Sequence, residues 1–251
     1  MMYHPTLDKL QQLKLTGMLR ALQEQEAIPD VRAMPFEERL GLMVDRELTE
    51  RSNRRMQTRL RAAKLKQNTA LEDIDFKSAR GLDRSLIMKL AGCEWVAEHL
   101  NVLITGATGV GKTWLACALA HKACREGYSS YYVRLSRLFQ DLDMGRADGR
   151  YARMMRQMAK TDVLVMDDWG LAVLSDQHRR DLLEILDDRY KLRATVITSQ
   201  LPITHWHEAV GDPTLADAIL DRVVHNAYKI NLSGSSMRKE KQKLTTDRPT
   251  P

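Results

Sequence analysis

The residues with the clearest chemical potential are Gly106, Ala107, Thr108, Gly109, Val110, Gly111, Lys112 and Thr113, which fit the pattern G-x-x-x-x-G-K-[ST] at every specified position. Glycines let a backbone wrap a phosphate chain without Cβ clashes. A helix opening at the lysine, with Trp114 in its first turn, adds aligned N–H donors with partial positive charge. In such a loop the Lys112 ammonium reaches the β- and γ-phosphates of a nucleotide, and the Thr113 hydroxyl ligates Mg2+. An apolar run, Val163 to Met166, ends in Asp167 and Asp168. A strand terminating in acid suits the same metal: Asp167 holds the ion through its water shell, and Asp168 orients or deprotonates an attacking water. A second polar strand end, Ser199-Gln200, offers a donor and an acceptor for the γ-phosphate or that water. Arg222 shares a helical segment with Leu215, Ile219 and Val223, and spacing alone favours a solvated side chain or a plain ion pair with Asp217 or Asp221.

These residues need a scaffold that presents strand ends to a common edge. Apolar runs at 101–105, 130–133, 163–167, 194–198 and 227–232 read as strands, with helical segments at about 112–126, 135–144, 149–160, 175–191 and 214–225. The alternation predicts an α/β fold with a five-stranded, mostly parallel sheet flanked by helices. Ahead of it, Leu7, Leu10, Leu15, Met18, Leu19 and Leu22 recur at helical spacing over Thr6–Ala27, Pro29 and Pro35 interrupt, and a second helical run continues from Phe36. The expected organisation is a small helical domain at 1–67, a linker at 68–84, the α/β domain at 85–240 and a flexible tail at 241–251.

Charge is uneven. Of 251 residues, 39 are Lys or Arg and 33 Asp or Glu, a net +6, yet residues 51–66 carry seven basic side chains and no acidic one. One-sided basic helices suit a phosphate backbone: Arg51, Arg55, Arg59 and Lys66 fall near one face, with Arg54 in the same block. A second set, Arg146, Arg150, Arg153 and Arg156, lies between the second and third strands. Few aromatics and no recognition-helix or zinc-finger pattern favour binding without base preference. The three cysteines form no CxxC pair, and Cys117 and Cys124 read as core residues; His205-Trp206-His207 lacks a third metal ligand. With no signal pattern and no 18-residue apolar stretch, a cytoplasmic protein without membrane contact is expected.

The order of these sites resembles AAA+ ATPases and, more narrowly, the IstB-type transposition helper ATPases, relatives of the helicase loader DnaC and the initiator DnaA. The resemblance runs along essentially the whole chain, through LEDIDF (71–76), NVLITGATGVGKTWLACAL (101–119), MDDWGL (166–171), the long run 197–230 and GSSMR (234–238). It implies ATP and Mg2+ as cofactors, Gln200 as the sensor position, and Arg222 as an arginine finger reaching a neighbouring subunit's γ-phosphate. It also implies a homo-oligomer on double-stranded DNA, a cognate transposase as partner, and hydrolysis that ends the assembly. In relatives of this type the region of Arg146, Arg150 and Arg153 faces DNA. AAA+ proteins at large end the acidic strand in Asp-Glu. Here Asp168 replaces Glu, as in IstB-type helpers, and retracts the carboxylate by about 1.5 Å, which suits slow hydrolysis. A full C-terminal lid domain is not expected, and Arg238 is a further nucleotide contact by resemblance only. A DnaC-like helicase loader is the alternative function; a small-molecule kinase would need neither Arg222 nor the basic block.

Overall fold

The structure, a computed structural model, describes residues 5–76 and 80–237. Arg238 and the tail expected at 241–251 lie outside them. The chain divides into two compact units between Thr58 and Arg59, so the basic segment is split between them. The first unit is helical: α1 (Pro5–Gln12), α2 (Thr16–Ala27), the single turn α3 (Pro29–Arg32), and α4 (Phe36–Ala63) as far as residue 58. The one helix expected over Thr6–Ala27 is two. Lys14 takes φ 57°, a left-handed conformation that ends an α-helix, and Leu15 N–H bonds back to the Leu10 carbonyl at 2.9 Å. Pro29 starts α3 at a position where its missing N–H costs nothing.

Glu47 on α4 organises this unit. Its Oε2 accepts from the backbone N–H of Gly17 (2.6 Å) and Met18 (3.3 Å), two donors that the start of α2 leaves without helical partners. Its Oε1 accepts from Arg51 Nε at 2.6 Å. Burial works to raise its pKa, but these three hydrogen bonds outweigh it and hold the carboxyl below its ordinary value. The contact is close because residue 17 has no side chain: a Cβ there would stand 2.6 Å from the Glu47 Cα.

In the second unit α5 (Arg84–Ala91) and α6 (Glu94–Ala97) precede the sheet. There follow β1 (Asn101–Gly106), α7 (Lys112–Arg125), β2 (Ser130–Arg134), α8 (Leu135–Asp148), α9 (Tyr151–Lys160), β3 (Val163–Trp169), α10 (Asp176–Arg189), β4 (Ala194–Ser199), α11 (Trp206–Val210), α12 (Pro213–Val224) and β5 (Ala227–Leu232). Strand order is β2-β3-β4-β1-β5, and every pairing is parallel. Because side chains alternate, one face of β3 buries Val163 and Val165 against α5, α6 and α7, while Leu164 and Met166 face the core formed with α8 to α12. Residues 68–84 are less of a linker than expected. Thr69, Leu71 and Arg80 are buried, and Leu71–Asp73 forms a 3-10 turn packed with the α7 layer.

Replacing Glu47 with Ala leaves two helix-start N–H groups and the Arg51 guanidinium without their acceptor. We expect a loss of about 1–3 kcal/mol from the helical unit, seen as an earlier denaturant midpoint in far-UV circular dichroism. An unchanged midpoint would show that Glu47 does not organise the unit.

Candidate nucleotide site

The loop between β1 and α7 is built as its sequence requires. Gly106, Gly109 and Gly111 take φ of 144°, 89° and 102°, and α7 opens at Lys112 behind Gly111. The glycines have a second purpose that composition did not suggest. A Cβ on Gly106 would lie 2.1 Å from the Leu232 carbonyl oxygen, and one on Gly109 would lie 2.3 Å from Ser236 Oγ. The end of β5 and the segment after it therefore press on the loop, and Met237 N–H donates to the Gly109 carbonyl at 3.1 Å. Arg80 backs the same loop: its Nη1 stands 3.1 Å from where a Gly111 Cβ would be, and its Nη2 donates to the Asp75 carbonyl.

Lys112 is almost fully buried and its Nζ donates to the carbonyls of Gly106 (2.7 Å) and Ala107 (2.8 Å), inside the curve of the loop. Thr108 Oγ1 donates to Gln200 Oε1 at 2.6 Å, so the residue read as a sensor touches the phosphate loop. Val110 is buried beneath it, and Trp114 packs on the α7 core with its carbonyl accepting from Thr69 Oγ1.

Asp167 has no exposed surface. Thr113 Oγ1 donates to both its oxygens (2.9 and 3.1 Å), and Thr198 Oγ1 and the Tyr132 hydroxyl donate to it at 2.5 Å each. Lys66 Nζ lies 3.8 Å from Oδ2. Burial, and next the bond to Asp167, push the Tyr132 pKa well above that of a free tyrosine, so the phenol stays a donor. The residues fit Mg2+. Thr113 and Asp167 offer hard oxygen at the mouth of a phosphate cradle, the sparse protein donor set that an ion also bound to phosphate and water needs. Among the described residues no cluster of three acidic, His or Cys ligands competes for that role. Thr198, Tyr132 and Lys66 were missed by sequence reasoning. Thr198 belongs to the polar strand end already noted, whereas nothing in the sequence pairs Tyr132 or Lys66 with Asp167.

Asp168 is aimed elsewhere. Between Met166 and Trp169 the β3 register slips by one residue against β4, and Asp168 takes φ 65° with its N–H on Thr198 Oγ1. Its carboxylate pairs with Arg134 Nε at 2.8 Å, at the end of β2.

Arg222 is not beside the loop. Its carbonyl accepts from the Asn101 side chain at the first residue of β1, which puts it at the opposite sheet edge, roughly 17–20 Å away for a six-residue strand. Its guanidinium pairs with Asp187 at 2.6 Å, with Asp221 at 3.9 Å, while Asp217 meets His207 instead.

The basic residues sort by partner. Arg51 pairs with Glu47, and Arg54 donates to Thr16 Oγ1 at 2.8 Å, so acids and hydroxyls outside the block supply pairing that its composition lacks. Arg59 Nε donates to the Cys124 carbonyl at 2.9 Å. Arg146 is held by Asp181 and Asp143 and lies over the Tyr151 ring, and Arg150 pairs with Asp148. Arg55, Arg61 and Arg153 are exposed, with no side-chain hydrogen bond or ion pair among the described residues. Lys66 lies beyond the end of α4, which corrects its placement on a helical face. The three cysteines are buried, and burial lifts Cys93 to about 11, so it is an inert core thiol. No helix of the described chain is long and apolar enough to cross a membrane.

The fold is shared with solved structures. The crystal structure of DnaI matches with a TM-score of 0.57 at 24% identity, covering 70% of this chain and 93% of that one. The DnaC helicase loader matches at 0.54 and 22%, covering 66% and 97%. Closer in sequence is a Sinorhizobium fredii protein named for an insertion sequence and for ATP binding, 52% identical over 243 residues, which are 97% of this chain and 99% of that protein. A Pseudomonas aeruginosa protein named for ATP binding in insertion sequence IS21 is 33% identical over 98% and 92% of the two. The model of the family described as IstB-like ATP binding protein matches residues 8–245. The likeness runs through the helical unit as well as the phosphate loop, which a shared ATPase fold alone would not require, and the chain therefore belongs to the IstB-like ATP-binding protein family.

Proposed function

We propose that this protein is an ATPase that regulates transposition. With ATP and Mg2+ it assembles on double-stranded DNA, presents or remodels that target for a transposase, and hydrolyses ATP to come apart. The observation that carries this reading is the separation of Arg222 from the loop of its own subunit. At the far edge of a parallel sheet it has no path to its own γ-phosphate, which supports a role in the site of a neighbour and makes hydrolysis depend on assembly.

Within one subunit, Lys112 and the α7 N-terminus bind the phosphates, while Thr113 and Asp167 would hold Mg2+, which would offset negative charge on the phosphates. Gln200, bonded to Thr108, orients groups at the γ-phosphate. Asp168 activates water only when its carboxylate is released from Arg134, and its side chain is short. Both features support slow turnover, which suits a timed disassembly. For DNA, Arg55, Arg61 and Arg153 offer uncommitted guanidinium groups, whereas Arg51, Arg54, Arg59, Arg146 and Arg150 contribute through charge already shared with internal partners.

Three outcomes test the reading. Lys112→Ala should weaken ATP by about 100-fold or more, roughly 2.7 kcal/mol, in a fluorescent-nucleotide titration; unchanged affinity removes the phosphate-loop argument. Arg222→Ala should bind ATP within about twofold of wild type and lose DNA-stimulated hydrolysis by about a thousandfold, the scale of a trans arginine. If it keeps full stimulated hydrolysis, the shared site is wrong. Replacing both Arg55 and Arg61 with Gln should flatten the log–log salt dependence of duplex binding by about two. An unaltered slope would take this segment off the DNA.

A further inference from the structure

The last part of the basic segment is fastened along the helix that carries the phosphate loop. Arg59 Nε bonds the Cys124 carbonyl at the end of α7, and Ala63 is fully buried. Lys64, at φ 51°, terminates α4. Thr69 Oγ1 then reaches the Trp114 carbonyl at 3.3 Å. Residues 59 and 69 thus meet residues 124 and 114, an antiparallel path that descends α7 toward its N-terminus. At the foot of that path the Lys66 ammonium lies 3.8 Å from Asp167 Oδ2.

Asp167 is fully buried and is the acid that fits Mg2+. A buried carboxylate needs a compensating cation, and Lys66 contributes charge where the metal would contribute its own. Two cations cannot share one carboxylate edge without repulsion. The Lys66 side chain is also more than a third exposed, at 37%, so its ammonium can turn outward to solvent or to a phosphate.

We propose that Lys66 is a positioning residue that couples the metal site to DNA. Its ammonium and Mg2+ compete for Asp167, so a DNA phosphate that draws Lys66 outward strengthens binding of Mg2+-nucleotide. By linkage, Mg2+-nucleotide frees Lys66 for DNA to the same degree. The inference rests on the proposed nucleotide and DNA binding, and it adds the residue through which one is felt by the other.

The test measures the affinity of the full chain for a fluorescent, non-hydrolysable ATP analogue, with and without long duplex DNA, in Mg2+ and in EDTA. In wild type, DNA should raise the affinity in Mg2+ about fivefold or more, the low end of coupling between linked sites. Lys66→Gln should bind the analogue in Mg2+ without DNA about as tightly as wild type does with DNA, and gain less than about twofold when DNA is added. In EDTA the same variant should show no tighter binding than wild type. Lys66→Arg, which keeps the charge, should restore the wild-type ratio. Arg61→Gln, which removes one charge from the same segment, should weaken DNA binding and keep that ratio. A Lys66→Gln protein with the full wild-type ratio overturns the inference while leaving the proposed function standing. Wild type that fails to bind the analogue at all overturns the function itself.

Discussion

A carboxylate with no exposed surface is the constraint around which this molecule is arranged. Asp167 lies near the end of β3, between β2 and β4, and each neighbour supplies a hydroxyl to it, Tyr132 from one side and Thr198 from the other. Thr113 adds a third from the first turn of α7, and Lys66 adds a positive charge from beyond α4. Burying a charge is costly unless it is hydrogen-bonded and compensated. The order of strands, the placement of α7 and the course of residues 59–69 all serve to compensate this one. The groups that meet a ligand's charge at Asp167 therefore come from three strands, one helix and Lys66.

The parallel sheet separates the chemistry into two ends. Every strand finishes at the edge where the phosphate loop, Asp167 and Gln200 gather, and every strand starts at the edge where Arg222 sits with Asp187. A residue at the starting edge cannot serve the finishing edge of its own sheet, whatever its side chain. A site that needs both must be built from two subunits, which ties chemistry to assembly in the proposed cycle. The pairing of most basic side chains has a parallel meaning. Arg146 and Arg150 are already neutralised by Asp181 and Asp148, so exposure and partners, not the count of arginines, decide which guanidinium groups remain for a polyanion.

Much of the fold was legible in the residues. Apolar runs and the helical segments between them marked all five strands and the helices that cross over, because the central strands of a parallel sheet are buried on both faces and leave a nearly unbroken apolar imprint. The break at Lys14 was not legible, since lysine carries no conformational signature and its left-handed backbone is imposed by the return to α2. The burial of Thr69, Leu71 and Arg80 was hidden for a similar reason: a segment without periodicity can still be packed when a neighbouring helix covers it.

In the site, the sequence alone determined the motif residues, their ligand chemistry and their order, because a phosphate loop is a local structure whose glycines, lysine and hydroxyl act within eight residues. Tertiary structure alone decided what lies across from them. It set Tyr132 and Lys66 against Asp167, turned Asp168 to Arg134 through a one-residue slip, and gave Arg222 the partner Asp187 at the far edge. It also gave Gly106 and Gly109 a second reason to lack a side chain, the approach of Leu232 and Ser236. Those pairings join residues dozens of positions apart through strand order and register, and spacing along the chain carries no record of which strand lies next to which.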